Sequence, residues 1–468
     1  MRTLALGLRR WRIQVYLAIG FALLSGFVIR DWSAQPASRY LFTVAIVEDH
    51  SLELDPYEGV LGIDRAEFEG HTYSDKPPYQ PLLAVPFLQA YRWTGGDTFP
   101  PGTDRDHVGR GTFYGLWWAT LWSSVVPGIA LALAIRWVVA QTHPEVATAV
   151  AITMVLATTI FPFTSWLFGH VLGAVLVTVA WGWLRRDAPT TRTVLFAGVV
   201  LGLVVGTEYA AAVIAAVFLV RVALTRRWGH VMALSVGTVI GTIPLFVVNY
   251  LLFGDPFEVA YQGHLGSFEG EGALGVYNLE VPRLDELTKT LFGDLGLFTL
   301  TPIVTCAVFA CVLCIVRRSP VRQDAATALA CLALMVVVST GIDGYGGDSP
   351  GPRYLIPALP LLAVPLADLW RRHPRPLALA GVFGAFWMLL ATLTEPGVDS
   401  SHPEPLRTWI DGFRAGDLGG NVLTGSSHPW VLLVTTAGGL VALGMAVVTD
   451  RASKDPVAPL SGSQPARR

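Results

Sequence analysis

The chain has 468 residues, of which 52% are hydrophobic and only 15% charged, with a mean hydropathy of +0.50 and a formal net charge of -2. A soluble domain is usually about 25% charged and lacks long apolar runs, so the composition excludes a soluble globular protein. With no basic tract, nucleic acid is excluded as a partner.

Apolar runs recur along almost the whole length and predict an all-α polytopic membrane protein, each spanning helix needing roughly 20 mostly apolar residues. The first run, 13–30, follows Arg9, Arg10 and Arg12 and lacks the small-residue cleavage site of a signal peptide, so it is expected to stay as a helix. Residues 31–111 form a long acid-rich loop with too much Leu, Tyr, Phe and Val for disorder. Within it, "RYLFTVAIVEDH" (Arg39 to His50) and "YQPLLAVPFLQAYRW" (Tyr79 to Trp93) are amphipathic, too short to span, and predict helices lying in the membrane interface. Further spans are predicted at 112–137, 145–163, 167–184, 231–252, 297–316, 323–341, 354–371, 376–394 and 429–449. The stretch 193–224 is too long for one span and short for two, and "GTEY" (Gly206 to Tyr209) interrupts it, which predicts a tight hairpin of two short helices.

That makes twelve segments, and the positive-inside rule tests the count. Alternation puts every arginine cluster on one side: Arg9 to Arg12, Arg185 to Arg192, Arg226 and Arg227, Arg317 to Arg322, Arg371 to Arg375, and the C-terminal basic residues. The expected protein is multi-pass in the plasma membrane, both termini in the cytoplasm, with loops 31–111, 253–296, 342–353 and 395–428 outside. Residues 1–394 form one unit, 395–449 a last loop and helix, and 450–468 a Pro/Ser/Arg-rich tail expected to be disordered. Cys306, Cys311, Cys314 and Cys331 lie in or beside apolar segments, and the CxxC among them lacks a second ligand pair, so they read as core residues.

Ionisable residues inside a membrane domain are costly and mark function by default. His170 in "SWLFGHVLG", Glu208 in "GTEYAA" and Arg353 in "GDSPGPRYLIP" all open on the outer face, as do Asp75 and Lys76 in "HTYSDKPPYQPLLAVP". The bland reading makes these a core histidine, a structural ion pair and a snorkelling arginine. Their convergence with a loop carrying Arg39, Asp55, Asp64, Asp75 and Lys76 favours a site at headgroup level. There it would meet membrane lipids and a water-soluble partner together.

"SRYLFTVAIVEDHSLELDPY" and "GHTYSDKPPYQPLLAVP", then "LFGHVLGAVLV", "GLVVGTEYAAAVIA", "NYLLFGDPFEVAYQ", "LFGDLGLFTLTP" and "GGDSPGPRYLIPALP", follow the order seen in the GT-C class of membrane glycosyltransferases. The chain thus resembles the superfamily of protein mannosyltransferases and lipid A aminoarabinose transferases, to about residue 394. The resemblance implies a helical bundle with a large first outer loop. It also implies sugar transfer from a polyprenyl-phosphate donor to a glycan, lipid or protein acceptor on the outer face. The acidic pair that relatives carry before an Arg-Tyr is missing here: Gln35 to Ser38 precede Arg39 and Tyr40. A glycine and a serine expected after Lys-x-Pro are replaced by Tyr79 and Pro81.

An inverting displacement at an anomeric carbon needs one carboxylate as base and positive charge where the phosphate departs. Lys76, Arg353 and Arg39 are expected at the donor phosphate, and Tyr40, His170 and Glu208 at the substrates. The base is expected among Asp55, Asp64 and Asp31, in that order, with Asp75 orienting Lys76 or serving in their place. No ligand spacing identifies a metal, and a divalent cation held by the acidic loop stays open. The rival readings are a flippase for a lipid-linked sugar, a polysaccharide ligase or polymerase, and a membrane scaffold.

Overall fold

The computed structural model describes residues 2–99, 113–260, 281–342, 344–425 and 427–451; the expected disordered tail lies outside them but for Asp450 and Arg451. The described chain is mostly helical: α1 (Arg2–Ser25), α2 (Ala34–Glu48), α3 (Tyr79–Trp93), α4 (Tyr114–Ala140), α5 (Ala147–Leu156), α6 (His170–Leu184), α7 (Thr191–Thr207) and α8 (Tyr209–Leu224) come first. There follow α9 (Trp228–Phe253), α10 (Leu284–Phe292), α11 (Pro302–Val316), α12 (Arg322–Ile342), α13 (Arg353–Arg372), α14 (Pro374–Leu393), α15 (Pro405–Ala415) and α16 (Trp430–Arg451). Two small antiparallel ribbons accompany them. Strand β2 (Arg65–Phe68) pairs with β3 (His71–Ser74), and β1 (Val28–Ile29) pairs with β4 (Gly420–Asn421), tying the last loop to the end of the first helix.

Among the described residues six helices are long and apolar enough to cross a membrane: α4, α9, α12, α13, α14 and α16. A seventh span would need residues Leu284–Leu300 and Pro302–Val316 together, and these bend by 98°. Helices α5 to α8 are apolar but only 10–17 residues long, too short alone for a hydrocarbon core of about 30 Å. The predicted span 145–163 stops early for a local reason: the Thr158 hydroxyl turns back to the Met154 carbonyl and accepts the Ile160 N–H, and Pro162 follows. Such side-chain bonds compete with the helical ladder.

Between α7 and α8 the chain breaks at Glu208, whose backbone is extended (φ -156°, ψ 103°). Val194 near the start of α7 and Leu224 at the end of α8 line one cavity, so the two helices return to the same face. Helix α7 packs along α9 through glycines. A Cβ on Gly198 or Gly202 would meet the Leu234 or Thr238 carbonyl at 2.3 or 2.2 Å, and one on Gly237 or Gly241 would meet the Leu195 or Val199 carbonyl at 2.1 or 2.0 Å. Small residues four apart permit this close backbone approach between membrane helices.

The long first loop differs from one expectation. Helix α2 forms, but it is buried continuously from Pro36 to Ala45 and does not lie along a lipid interface. Helix α3 is partly exposed, and its first turn is locked to α9. The Tyr79 hydroxyl donates to the Gly241 carbonyl (3.0 Å) and accepts the Leu245 N–H (2.7 Å). It stands between a carbonyl and the N–H four residues on, beside Pro244, the sort of insertion that kinks a helix.

Candidate functional site

Four elements meet at one end of the bundle. The β2–β3 ribbon hands the chain to Asp75 and Lys76, and Tyr79 and Gln80 then pin it. The Gln80 amide nitrogen donates to the Ser124 hydroxyl (2.9 Å) and to the Phe168 carbonyl (2.8 Å). Helix α6 begins at His170, Glu208 closes α7, and Arg353 opens α13.

Lys76, expected near the headgroups, is buried. Its ammonium donates to Asp64 Oδ1 at 2.7 Å and to Asp75 Oδ2 at 2.6 Å. Asp75 is fully buried, and its other oxygen accepts from the Ser38 hydroxyl at 3.3 Å, with Ser74 Oγ 2.8 Å from Ser38. Burial works against charge on Lys76, but Asp75 and Asp64 outweigh it and hold its pKa above the ordinary lysine value.

The two arginines are arranged differently. Arg39 and Arg353 are both buried, and both guanidinium carbons lie over the Phe168 ring, at 5.5 and 5.3 Å from its centroid. Arg39 donates to Gln35 Oε1 at 3.0 Å. Among the described residues neither arginine has a carboxylate within ion-pair distance, and the Nε of each has no hydrogen-bond partner. A buried cation without an anion is expensive. Beside them, His170 Nδ1 lies 2.7 Å from Glu208 Oε2, too poorly aligned for a hydrogen bond, and the ring stacks on Phe168 at 5.7 Å. Three cations, three carboxylates and a histidine therefore surround one aromatic ring and the loop before α3.

Two expected residues are elsewhere. Tyr40 donates to the Thr98 carbonyl and packs edge-on against Trp32 and Phe113. Successive helix residues differ by 100°, so the turn that aims Ser38 at Asp75 aims Tyr40 at the opposite aromatic layer. Asp55 is at the outer end of the ribbon, where its oxygens accept the Thr72 N–H (2.6 Å) and meet His71 Nδ1 (2.7 Å). From Thr72 to Asp75 is about 10 Å of extended chain, so Asp55 is not brought to the cluster. The Thr72 N–H and the His71 ring lower the Asp55 pKa, and Asp55 in turn raises that of His71. Asp31 adjoins a separate arrangement. There Arg30 donates to Ser165 Oγ (2.7 Å) and the Thr394 carbonyl (3.0 Å), with Glu395 close by.

For a cation, Glu53, Asp55 and His71 are the group among the described residues whose ligand atoms lie within 4.8 Å of one another. The His71–Asp55 contact already accounts for that closeness. Sequence reasoning missed Phe168, Gln80 and Ser38; the trace of Phe168 was an aromatic two residues before a membrane histidine.

No family model and no curated protein sequence matches the chain. Solved structures do. ArnT from Cupriavidus metallidurans in the apo state aligns with a TM-score of 0.51 at 13% identity, covering 96% of this chain and 77% of that one. The same protein bound to undecaprenyl phosphate aligns with a TM-score of 0.53 at 12% identity, covering 96% and 78%. The Archaeoglobus fulgidus oligosaccharyltransferase in complex with Zn and sulfate aligns more weakly, with a TM-score of 0.49 at 14% identity over 81% of this chain and 52% of that one. At these identities the likeness is one of fold: the chain folds as ArnT does.

Proposed function

We propose that this protein is an integral membrane glycosyltransferase of the GT-C class, moving a sugar from a polyprenyl-phosphate-linked donor to a glycan, lipid or protein acceptor. The observation that carries the reading is the pair of buried arginines, Arg39 and Arg353, facing one ring with no carboxylate partner among the described residues. A phosphate is the ligand that a guanidinium grips with paired hydrogen bonds. The fold shared with ArnT, a protein seen with undecaprenyl phosphate bound, points to the same ligand chemistry.

In the proposed reaction the acceptor oxygen attacks the anomeric carbon from the side opposite the phosphate. The bond from that carbon to the phosphate oxygen breaks, and its electron pair leaves on the phosphate. Arg39, Arg353 and Lys76 neutralise the charge that develops there. The acceptor proton passes to a carboxylate, and Asp64 is the best placed of the three. It touches Lys76, and it is the Lys76 partner that retains some exposure, whereas Asp75 is sealed and acts as the brace for Lys76. Glu208 is held by His170 and shapes the wall of the site. We read α1, the four short helices α5 to α8 and α11 as segments that bring the six long helices to twelve, with both termini cytoplasmic and the cluster outside.

The test is direct. Purified protein given labelled polyprenyl-phosphate sugars should release free polyprenyl phosphate in step with sugar transfer. Vesicle-to-vesicle movement of the intact donor without turnover would support the flippase instead.

A further inference from the structure

At the opposite end of the bundle from the cluster, α7 and α8 splay apart and enclose with α12 a cavity of about 700 Å³. Helix α6 separates the two regions: His170 starts it in the cluster and Arg185 follows its end at this cavity, about 22 Å away at helical rise. Its lining is of two kinds: apolar residues, Val194, Val217, Val220 and Leu224 among them, and the arginines Arg185, Arg186, Arg221 and Arg227.

Two of those arginines are spent on the fold. Arg185 and Arg221 each place an Nη2 3.0 Å from the single carboxylate of Asp324, which is buried. Two others, Arg186 and Arg227, line the same cavity, are exposed, and have no carboxylate partner among the described residues. Arg186 rests over the Trp137 ring at 5.8 Å. Asp187 is the one acid in the lining. Four arginines therefore meet two carboxylates here. In the neighbouring cavities Arg371 pairs with Glu145 at 2.7 Å and Arg136 with Asp450 at 3.8 Å, while Arg451 lines the first of them as well and Arg9 and Arg10 the second.

We infer that this cavity binds an anionic phospholipid, its phosphate held by Arg186 and Arg227 and its acyl chains laid along the valine-lined wall. Charge excess in the lining calls for an anion, and the apolar residues that share the cavity call for hydrocarbon on the same molecule. A basic pocket between membrane helices meets both needs with a lipid headgroup. The inference stands whether or not the transferase reading does.

Full-length protein in mixed micelles would be titrated with phosphatidylglycerol, and retained lipid counted by native mass spectrometry. The double variant Arg186→Gln/Arg227→Gln should weaken retention roughly thirtyfold, about fivefold for each arginine. Arg371→Gln, in the neighbouring cavity, should leave it unchanged. Melting without added lipid should be the same for all three, which guards against misfolding. Equal retention of phosphatidylcholine, unchanged retention in the double variant, or equal protection by inorganic phosphate alone would each overturn the proposal.

Discussion

At the outer end of the β2–β3 ribbon His71 Nδ1 lies 2.7 Å from an Asp55 oxygen; just beyond the inner end Lys76 Nζ lies 2.7 Å from an Asp64 oxygen. The distances are equal and the surroundings are opposite. Side-chain exposure is 48% and 37% for the first pair but 4% and 8% for the second. Water screens the first contact and replaces either partner when the other is lost, so it is worth little. The second contact has no such substitute. Removing Lys76 would leave Asp64 and Asp75 as neighbouring buried carboxylates, and removing either acid would leave the buried ammonium with the other alone. An acid–base pair thus acquires functional weight from burial and from the other charged groups buried around it, not from its own length.

The sharpest way to break this comparison is to delete the base at each end. Lys76→Ala should destabilise the protein by about 3–5 kcal/mol, the cost of breaking a buried ion pair, while His71→Ala should leave melting in detergent nearly unchanged. Equal melting curves would show that burial does not separate the two ends.

Turnover should divide in the same way. Asp64→Asn should lower turnover with a polyprenyl-phosphate donor on the order of 100-fold, the scale of general base catalysis, with donor binding little changed. Asp55→Asn should stay within about threefold of wild type, since a surface pair contributes little. If Asp55→Asn is the damaging change, the acceptor is activated at the ribbon's outer end and the cluster is structural.

The anchor between the ribbon and α9 should matter less. Tyr79→Phe removes the hydroxyl that joins the Gly241 carbonyl to the Leu245 N–H. It should cost about 1–3 kcal/mol, the penalty for leaving buried backbone groups unpaired, read as a lower melting temperature.

The smallest expected effect is a titration. The Thr72 N–H and then the His71 ring hold Asp55 below the ordinary carboxylate value, and Asp55, with Glu53 beside it, holds His71 above the ordinary histidine value. The His71 contribution is complete below the ordinary histidine pKa and fades as pH rises through the raised one. That of Asp55 is present above the ordinary aspartate pKa and fades as pH falls through the lowered one. In histidine-labelled protein, Asp55→Asn should move the His71 midpoint down. An unmoved midpoint would mean that the pair does not form in solution.

Much of the cluster was legible in the sequence. His170, Glu208 and Arg353 stood out because ionisable groups are rare in apolar segments, and the structure gathers all three around Phe168. Asp75 and Lys76 stood out as adjacent opposite charges before an apolar run. Asp55 and Tyr40 were misplaced for geometric reasons that residue type alone does not carry. A ribbon separates Thr72 from Asp75 by about 10 Å, and one helix residue turns a side chain by 100°. The interfacial placement of α2 failed because an amphipathic pattern marks an apolar face without saying whether lipid or protein covers it. Helix lengths were overestimated where threonine hydroxyls break an otherwise apolar run, as at Thr158.

The account rests most heavily on Arg39 and Arg353 as a phosphate site. Binding of undecaprenyl phosphate to wild-type protein and to Arg39→Ala/Arg353→Ala, followed by phosphorus NMR in detergent, tests it with no assumption about sugar or acceptor. Each charged hydrogen-bonding partner removed should cost about 1.5–3 kcal/mol, so the predicted result is a loss of affinity of at least 100-fold in the double variant. Equal affinity in the two proteins, both folded, would contradict the assignment of the cluster to the donor phosphate.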